Sequence, residues 1–112
     1  MSEHIKIEKS DGILSLTMAR PEKKNALSNA MYGALADAIE AAETDASVRV
    51  LLIRGEGDMF TAGNDVGEFA AMATGAFKGE RHVGRFVQAI AKSSRPLVAA
   101  VQPSRQFAVF RF

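Results

Sequence analysis

Residues Met59-Phe60-Thr61-Ala62-Gly63-Asn64-Asp65-Val66 hold the residue types best suited to chemistry in this chain. They follow an apolar run, Val48 to Ile53, that reads as a buried strand. A strand that stops at Gly55-Glu56-Gly57-Asp58 and turns through Ala-Gly-Asn-Asp can leave backbone N–H groups facing a cleft. Such amides are suited to holding a developing negative oxygen, so the segment is a candidate half of an oxyanion hole. Asp65 fits a helix N-cap, or a loop-orienting side chain. Glu68 is the nearest acid; it reads as a first-turn helix carboxylate favoured by the dipole, or as a base.

Other reactive side chains have plainer roles. His82 opens a helical pattern in a polar context and is expected to be solvated, although a general base is the alternative. His4 lies at the terminus and receives no role. Thr61 lacks a base partner as a nucleophile. Ser93-Ser94-Arg95 reads as a helix-to-strand turn, and Met31, Met59 and Met72 as core or cleft fillers.

The elements that must position the turn follow from patterning. Ile5 and Ile7, then Leu14, Leu16 and Met18, alternate around Asp11-Gly12, which predicts a β-hairpin. Arg20-Pro21 ends its second strand. Ser28 is placed to cap a helix with Met31, Leu35, Ile39 and Ala42 on one side and Asp37, Glu40 and Glu43 on the other. That helix is expected to end near Thr44-Asp45. Val48 to Ile53 predicts an interior parallel strand, so strand, helix and strand form a crossover. Gly67 to Gly79, with Phe69, Met72 and Phe77, reads as a short helix and a mobile loop. His82 to Lys92 predicts a helix facing inward through Val83, Phe86, Val87, Ile90 and Ala91. Leu97 to Val101 is a further buried strand. Gln102 to Phe112 continues none of these patterns, and Phe107, Phe110 and Phe112 would make it sticky if exposed.

The 112 residues suffice for one domain with a real core, and the hydrophobic (47%) and charged (24%) fractions are those of an ordinary globular protein. A net charge of +1 selects no partner class. The charge is uneven: after Glu80 come Arg81, Arg85, Lys92, Arg95, Arg105 and Arg111 with no acid among them. Solvated helix faces account for this run; a phosphorylated ligand or an acidic partner segment are the sharper alternatives. No cysteine is present, which excludes disulfides and thiolate chemistry and agrees with a reducing cytoplasm. There is no signal-peptide pattern and no apolar run near the ~20 residues of a membrane helix. Neither histidine supports a metal site, and nothing supports nucleic-acid binding.

Four blocks together resemble the enoyl-CoA hydratase/isomerase, or crotonase, family. They are Arg20-Pro21 with Asn25-Ala26-Leu27-Ser28, Val48 to Gly55, Phe60 to Val66, and Arg95 to Val101, in the family's order. The resemblance covers Ile5 to Val101. It implies an α/β fold, a crotonase-like (ClpP/crotonase) ββα spiral that is incomplete, in residues 1–101, with 102–112 as a divergent tail. It implies an acyl-CoA thioester as substrate, with coenzyme A as part of it and no separate cofactor. The backbone N–H of Asn64 would be an oxyanion donor; Ala62, Gly63 and Val66 would bind the adenosine end of CoA through main-chain groups, and Ala26 would line the same ligand. Two phosphate-binding lysines of some members fall on Glu22 and Gly67; Lys23 and Lys24 are substitutes by position. Members assemble as trimers or dimers of trimers.

The departure from the family comes after Val101. Gln102-Pro103 stands where the resemblance calls for a glycine-rich turn, no glycine follows Gly84 and no carboxylate follows Glu80. The sequence reads as cut or frameshifted there, which removes the second oxyanion donor and the catalytic acids. Two functions stay open: a hydratase or isomerase of which this is the N-terminal portion, and a non-catalytic remnant that binds CoA weakly or only self-associates. Turnover by this chain alone is expected to be negligible.

Overall fold

The computed structural model describes residues 2–76, 79–101 and 108–111. One five-stranded sheet runs in chain order: β1 (Ile5–Ser10), β2 (Ile13–Met18), β3 (Val50–Gly55), β4 (Leu97–Val101) and β5 (Ala108–Arg111). Three α-helices accompany it among the described residues, α1 (Asn29–Ala42), α2 (Val66–Ala73) and α3 (Val83–Lys92). β1 and β2 pair antiparallel with Ser10 opposite Ile13, so Asp11-Gly12 is a two-residue hairpin turn. Both turn residues have positive φ, 53° and 82°, the geometry that matches the natural twist of paired strands. β2, β3 and β4 are parallel, as expected of β3, and α1 makes the crossover between β2 and β3.

The core forms where the sequence alternates. Leu14, Leu16 and Met18 of β2 meet Leu51 and Ile53 of β3, Leu97 of β4 and the Met31–Leu35–Ile39 stripe of α1. Burial is the main stabilising term here, at roughly 1.5–3 kcal/mol for each fully enclosed large side chain. Ser28 caps α1 as expected: its Oγ accepts the Met31 N–H at 3.2 Å. The helix ends at Ala42, slightly before Thr44-Asp45, with Glu43 as its C-cap; the Glu43 carboxylate accepts bonds from the Ser94 N–H and hydroxyl, at 2.7 and 2.8 Å.

Three expectations need correction. α3 starts at Val83, and of its apolar residues Ala89 is buried and Phe86 and Ile90 are half-buried, whereas Val83, Val87 and Ala91 are exposed. Only a narrow stripe meets α1, and Phe86 packs there on Tyr32 with ring centroids 5.3 Å apart. The basic run is not unopposed: Arg85 pairs with Asp37 and Glu40, so the acidic partner is α1 of the same chain. Arg95 likewise donates to the carbonyls of Glu43 and Asp45. Part of the tail is a strand: β5 pairs antiparallel with β4, Val98 opposite Arg111 and Val101 opposite Ala108. The open edge of β4 provides the partner that the local pattern could not reveal. Arg105, Phe107 and Phe112, on which a sticky tail was expected, lie outside the described residues, as do Gln102, Pro103 and Phe77.

Candidate functional site

β3 must stop at Gly55 because the chain doubles back over it. A Cβ there would lie under 3.0 Å from the carbonyl oxygens of Met59 and Phe60, so only glycine admits the turn. Asn25 then pins the turn from below. It is fully buried, and its Nδ2 donates to the carbonyls of Glu56 and Met59 at 2.9 and 2.7 Å. Its Oδ1 accepts the Arg20 N–H at 2.8 Å, and its carbonyl accepts the Thr61 hydroxyl at 2.7 Å. Lys24 and Asn25 both have positive φ, 52° and 57°; asparagine tolerates that region better than most residues.

The segment after the turn lies beside Lys24–Leu27 as a short parallel pair. Ala62 N–H donates to Lys24 C=O at 3.0 Å, Leu27 N–H to Gly63 C=O at 2.8 Å, and Asp65 N–H to Leu27 C=O at 2.9 Å. Leu27 therefore faces Asn64 across an isolated bridge. In a parallel pair, a residue straddled in this way directs its own N–H and C=O to the opposite side. The Asn64 N–H accordingly has no hydrogen-bond partner among the described residues. Gly63 carries φ +96°, and its N–H is taken by Thr61 Oγ1 at 3.1 Å.

Asp65 is the N-cap of α2, its Oδ1 accepting the Glu68 N–H at 3.0 Å. Its other oxygen accepts Arg20 Nη1 at 2.9 Å, and the same guanidinium nitrogen reaches Ala26 C=O at 3.1 Å. The bond from Glu68 N–H, then that from Arg20, holds the Asp65 carboxyl below the usual carboxylate range. Glu68 Oε1 accepts the Asn29 N–H at 2.5 Å, at the start of α1, so this carboxylate joins the N-terminal ends of two helices.

Beside Asn64 opens a cavity of about 270 Å³. Leu27, Phe69, Met72 and Val83 form apolar wall, and Asn64, Asp65, Glu68 and Arg81 also line it. Tyr32 reaches in from α1 and donates its hydroxyl to Asn64 Oδ1; burial raises the Tyr32 pKa, so the phenol stays a donor at neutral pH. Of the residues expected to bind ligand, Asn64 lines this cavity. Ala26, Ala62 and Gly63 are brought together along the Lys24–Leu27 pairing, outside it, and Val66 stands 81% exposed at the start of α2. The N–H groups of Ala62 and Gly63 are used inside the protein, whereas the carbonyl of Ala62 has no partner among the described residues.

Sequence reasoning missed Tyr32, Arg81 and the structural duties of Arg20 and Asn25. An asparagine after two lysines and before Ala-Leu could have been read as a left-handed pin; Tyr32, four residues past the cap of α1, gave no comparable signal. His82 is not solvated as expected. It lies over Gly33, its backbone N–H donates to Asn29 Oδ1 at 2.8 Å, and its buried Nδ1 has no hydrogen-bond partner among the described residues. Among the described residues no group of His, Cys, Asp or Glu is placed to hold a metal, and no helix is long and apolar enough to cross a membrane.

Comparison with known proteins agrees with this architecture. A model of the enoyl-CoA hydratase/isomerase family matches residues 8–104. The 1,2-epoxyphenylacetyl-CoA isomerase of Escherichia coli is 32% identical over 106 residues, covering 90% of this chain and 40% of that protein. The 2,3-dehydroadipyl-CoA hydratase of the same organism is 37% identical over 101 residues, covering 90% and 39%. The crystal structure of an enoyl-CoA hydratase/isomerase from Pseudoalteromonas atlantica superposes with a TM-score of 0.79 at 39% identity, covering 88% of this chain and 38% of that one. The chain thus spans about two fifths of the length of the curated relatives it matches. With its partial crotonase fold and its matched sequence blocks, this chain belongs to the enoyl-CoA hydratase/isomerase family.

Proposed function

We propose that this chain binds an acyl-CoA thioester, with the backbone N–H of Asn64 donating to the thioester carbonyl oxygen. The observation that carries this is the unpartnered Asn64 amide beside an apolar-walled cavity. An amide aimed at that oxygen stabilises the negative charge of an enolate-like state, a contribution of about 3 kcal/mol per donor in comparable sites. The donor is held rigidly: Leu27 clamps both neighbours of Asn64 and Asn25 fixes the turn before it. The CoA moiety lies along Ala26, Ala62, Gly63 and Val66; of the main-chain groups of Ala26, Ala62 and Gly63, the Ala62 carbonyl is the one left open among the described residues, the others being bonded within the protein. Coenzyme A enters as part of the substrate, and no other cofactor is required. The two E. coli relatives are both named as acting on CoA thioesters, which supports the substrate class. The cysteine-free composition suits the cytoplasm.

Binding without turnover is the form of this function that the carboxylates support. Hydration or isomerisation needs a carboxylate free to move a proton. The two that line the cavity are both committed, Asp65 to Arg20 and the cap of α2, Glu68 to the start of α1. The test is calorimetric titration of the chain with hexanoyl-CoA, followed by a crotonyl-CoA absorbance assay. Saturable binding with no enzyme-like turnover is expected; no binding at millimolar thioester overturns the proposal. A second reading, self-association, is favoured by the apolar surface of α2 and α3, where Phe69 is 59% and Val87 57% exposed. Trimeric or hexameric assembly, as the resemblance implies, is one form it could take, and sedimentation velocity reads it directly.

A further inference from the structure

The cavity beside Asn64 is chemically uneven. Among the described residues, its one basic lining residue is Arg81, which lines it together with the apolar Phe69, Met72, Ala73 and Val83. The guanidinium donates one long bond, 3.4 Å, to the Met72 carbonyl near the C-terminal end of α2. No carboxylate lies within ion-pairing distance of it among the described residues. The other arginines near the site are satisfied: Arg20 by Asp65, Arg85 by Asp37 and Glu40. A guanidinium left with most of its five donors open, beside an apolar-walled space, is suited to a planar anion.

We infer that the cavity takes an acyl group carrying a carboxylate at its far end, bound by Arg81 while the thioester carbonyl rests on the Asn64 amide. This rests on the thioester reading above and adds to it the class of acyl group. Asn64 and Arg81 line the same cavity, so an acyl group held at one of them can meet the other. The anion could instead be a phosphate of CoA itself, but the charge around the cavity favours the carboxylate. One guanidinium balances one carboxylate, whereas a phosphate dianion would leave a net negative charge beside the Glu68 carboxylate. Lys23 and Lys24, the basic pair ahead of the site turn, do not line the cavity and remain for the CoA phosphates.

The test compares adipyl-CoA with hexanoyl-CoA, which share a carbon count and differ at the distal carboxylate. Both are titrated calorimetrically into the full 112-residue chain and into Arg81→Gln and Arg81→Lys. Adipyl-CoA is expected to bind the native chain about tenfold tighter, the range of one charge-assisted contact. Arg81→Gln should erase that preference, and Arg81→Lys, which keeps the charge without the fork, should retain part of it. Equal affinity of the two thioesters for the native chain overturns this inference and leaves the thioester reading standing. Parallel weakening of both by Arg81→Gln also overturns it, by assigning Arg81 to a CoA phosphate. Binding of neither thioester overturns both.

Discussion

The body formed by the sheet and α1 differs sharply from the shoulder formed by α2 and α3. α1 alone buries Met31, Leu35, Ile39 and four alanines or glycines besides Ala42, whereas α2 buries no residue and α3 only Ala89. Folding free energy is therefore concentrated in the body, while the apolar surface of the shoulder is left for other contacts. The candidate site lies at the seam. Its donor turn is anchored into the body through Asn25 and Leu27, and its cavity opens toward Phe69 and Met72 of the shoulder. Precision comes from one region and space for a ligand from the other.

Substitutions can break or sharpen this contrast. Leu35→Ala, in the fully buried stripe of α1, is expected to cost about 3 kcal/mol in urea unfolding. A loss of well under 1 kcal/mol would mean that the body is not the cooperative unit. Asn25→Ala removes two donors and an acceptor from a buried left-handed position, and about 2–3 kcal/mol should follow. Thioester affinity should fall with it even where the chain stays folded, which a purely structural pin remote from the site would not produce.

Acid should act at the seam next. The Asp65 carboxyl is held low by Glu68 N–H and Arg20, and that of Asp45 is lowered to about 2 by bonds from Ser47 first and then Lys9. A folded-state pKa below the unfolded value of about 3.9 means the contribution is complete above that pH. It is lost as pH falls through the folded values, so stability should decline below pH ~4 toward pH ~2. Asp65→Asn should flatten that decline; an unchanged slope would show the Arg20 contact to be without effect on folding. The smallest effect belongs to the shoulder: Phe69→Ser should alter unfolding by less than about 0.5 kcal/mol. It should still reduce self-association in sedimentation, and a large loss of stability would move Phe69 into the core.

The hairpin, α1 and β3 were legible because each buries one face, and burial imposes a period of two or of 3.6 residues on the sequence. The strand ending at Gly55 and the Asp65 cap were legible for a local reason, the demand for particular residue types at a turn. Non-local features were not. The inward residues of α3 were overestimated because its pattern does not show how narrow its contact with α1 is, and β5 was missed because its partner edge is set by the parallel sheet. The hydroxyl of Tyr32 on Asn64 and the approach of Arg81 to Met72 join residues 32 apart and 9 apart, across elements that no periodicity relates.

The most direct test of the donor assignment is the infrared band of a carbonyl-labelled hexanoyl-CoA thioester, recorded free and at saturation with the native chain. Donation from the Asn64 amide predicts a shift of the bound carbonyl to lower frequency, as its bond order falls. A saturated complex whose carbonyl band stays at the solution position, or moves toward that of an unbonded ester, would contradict the account.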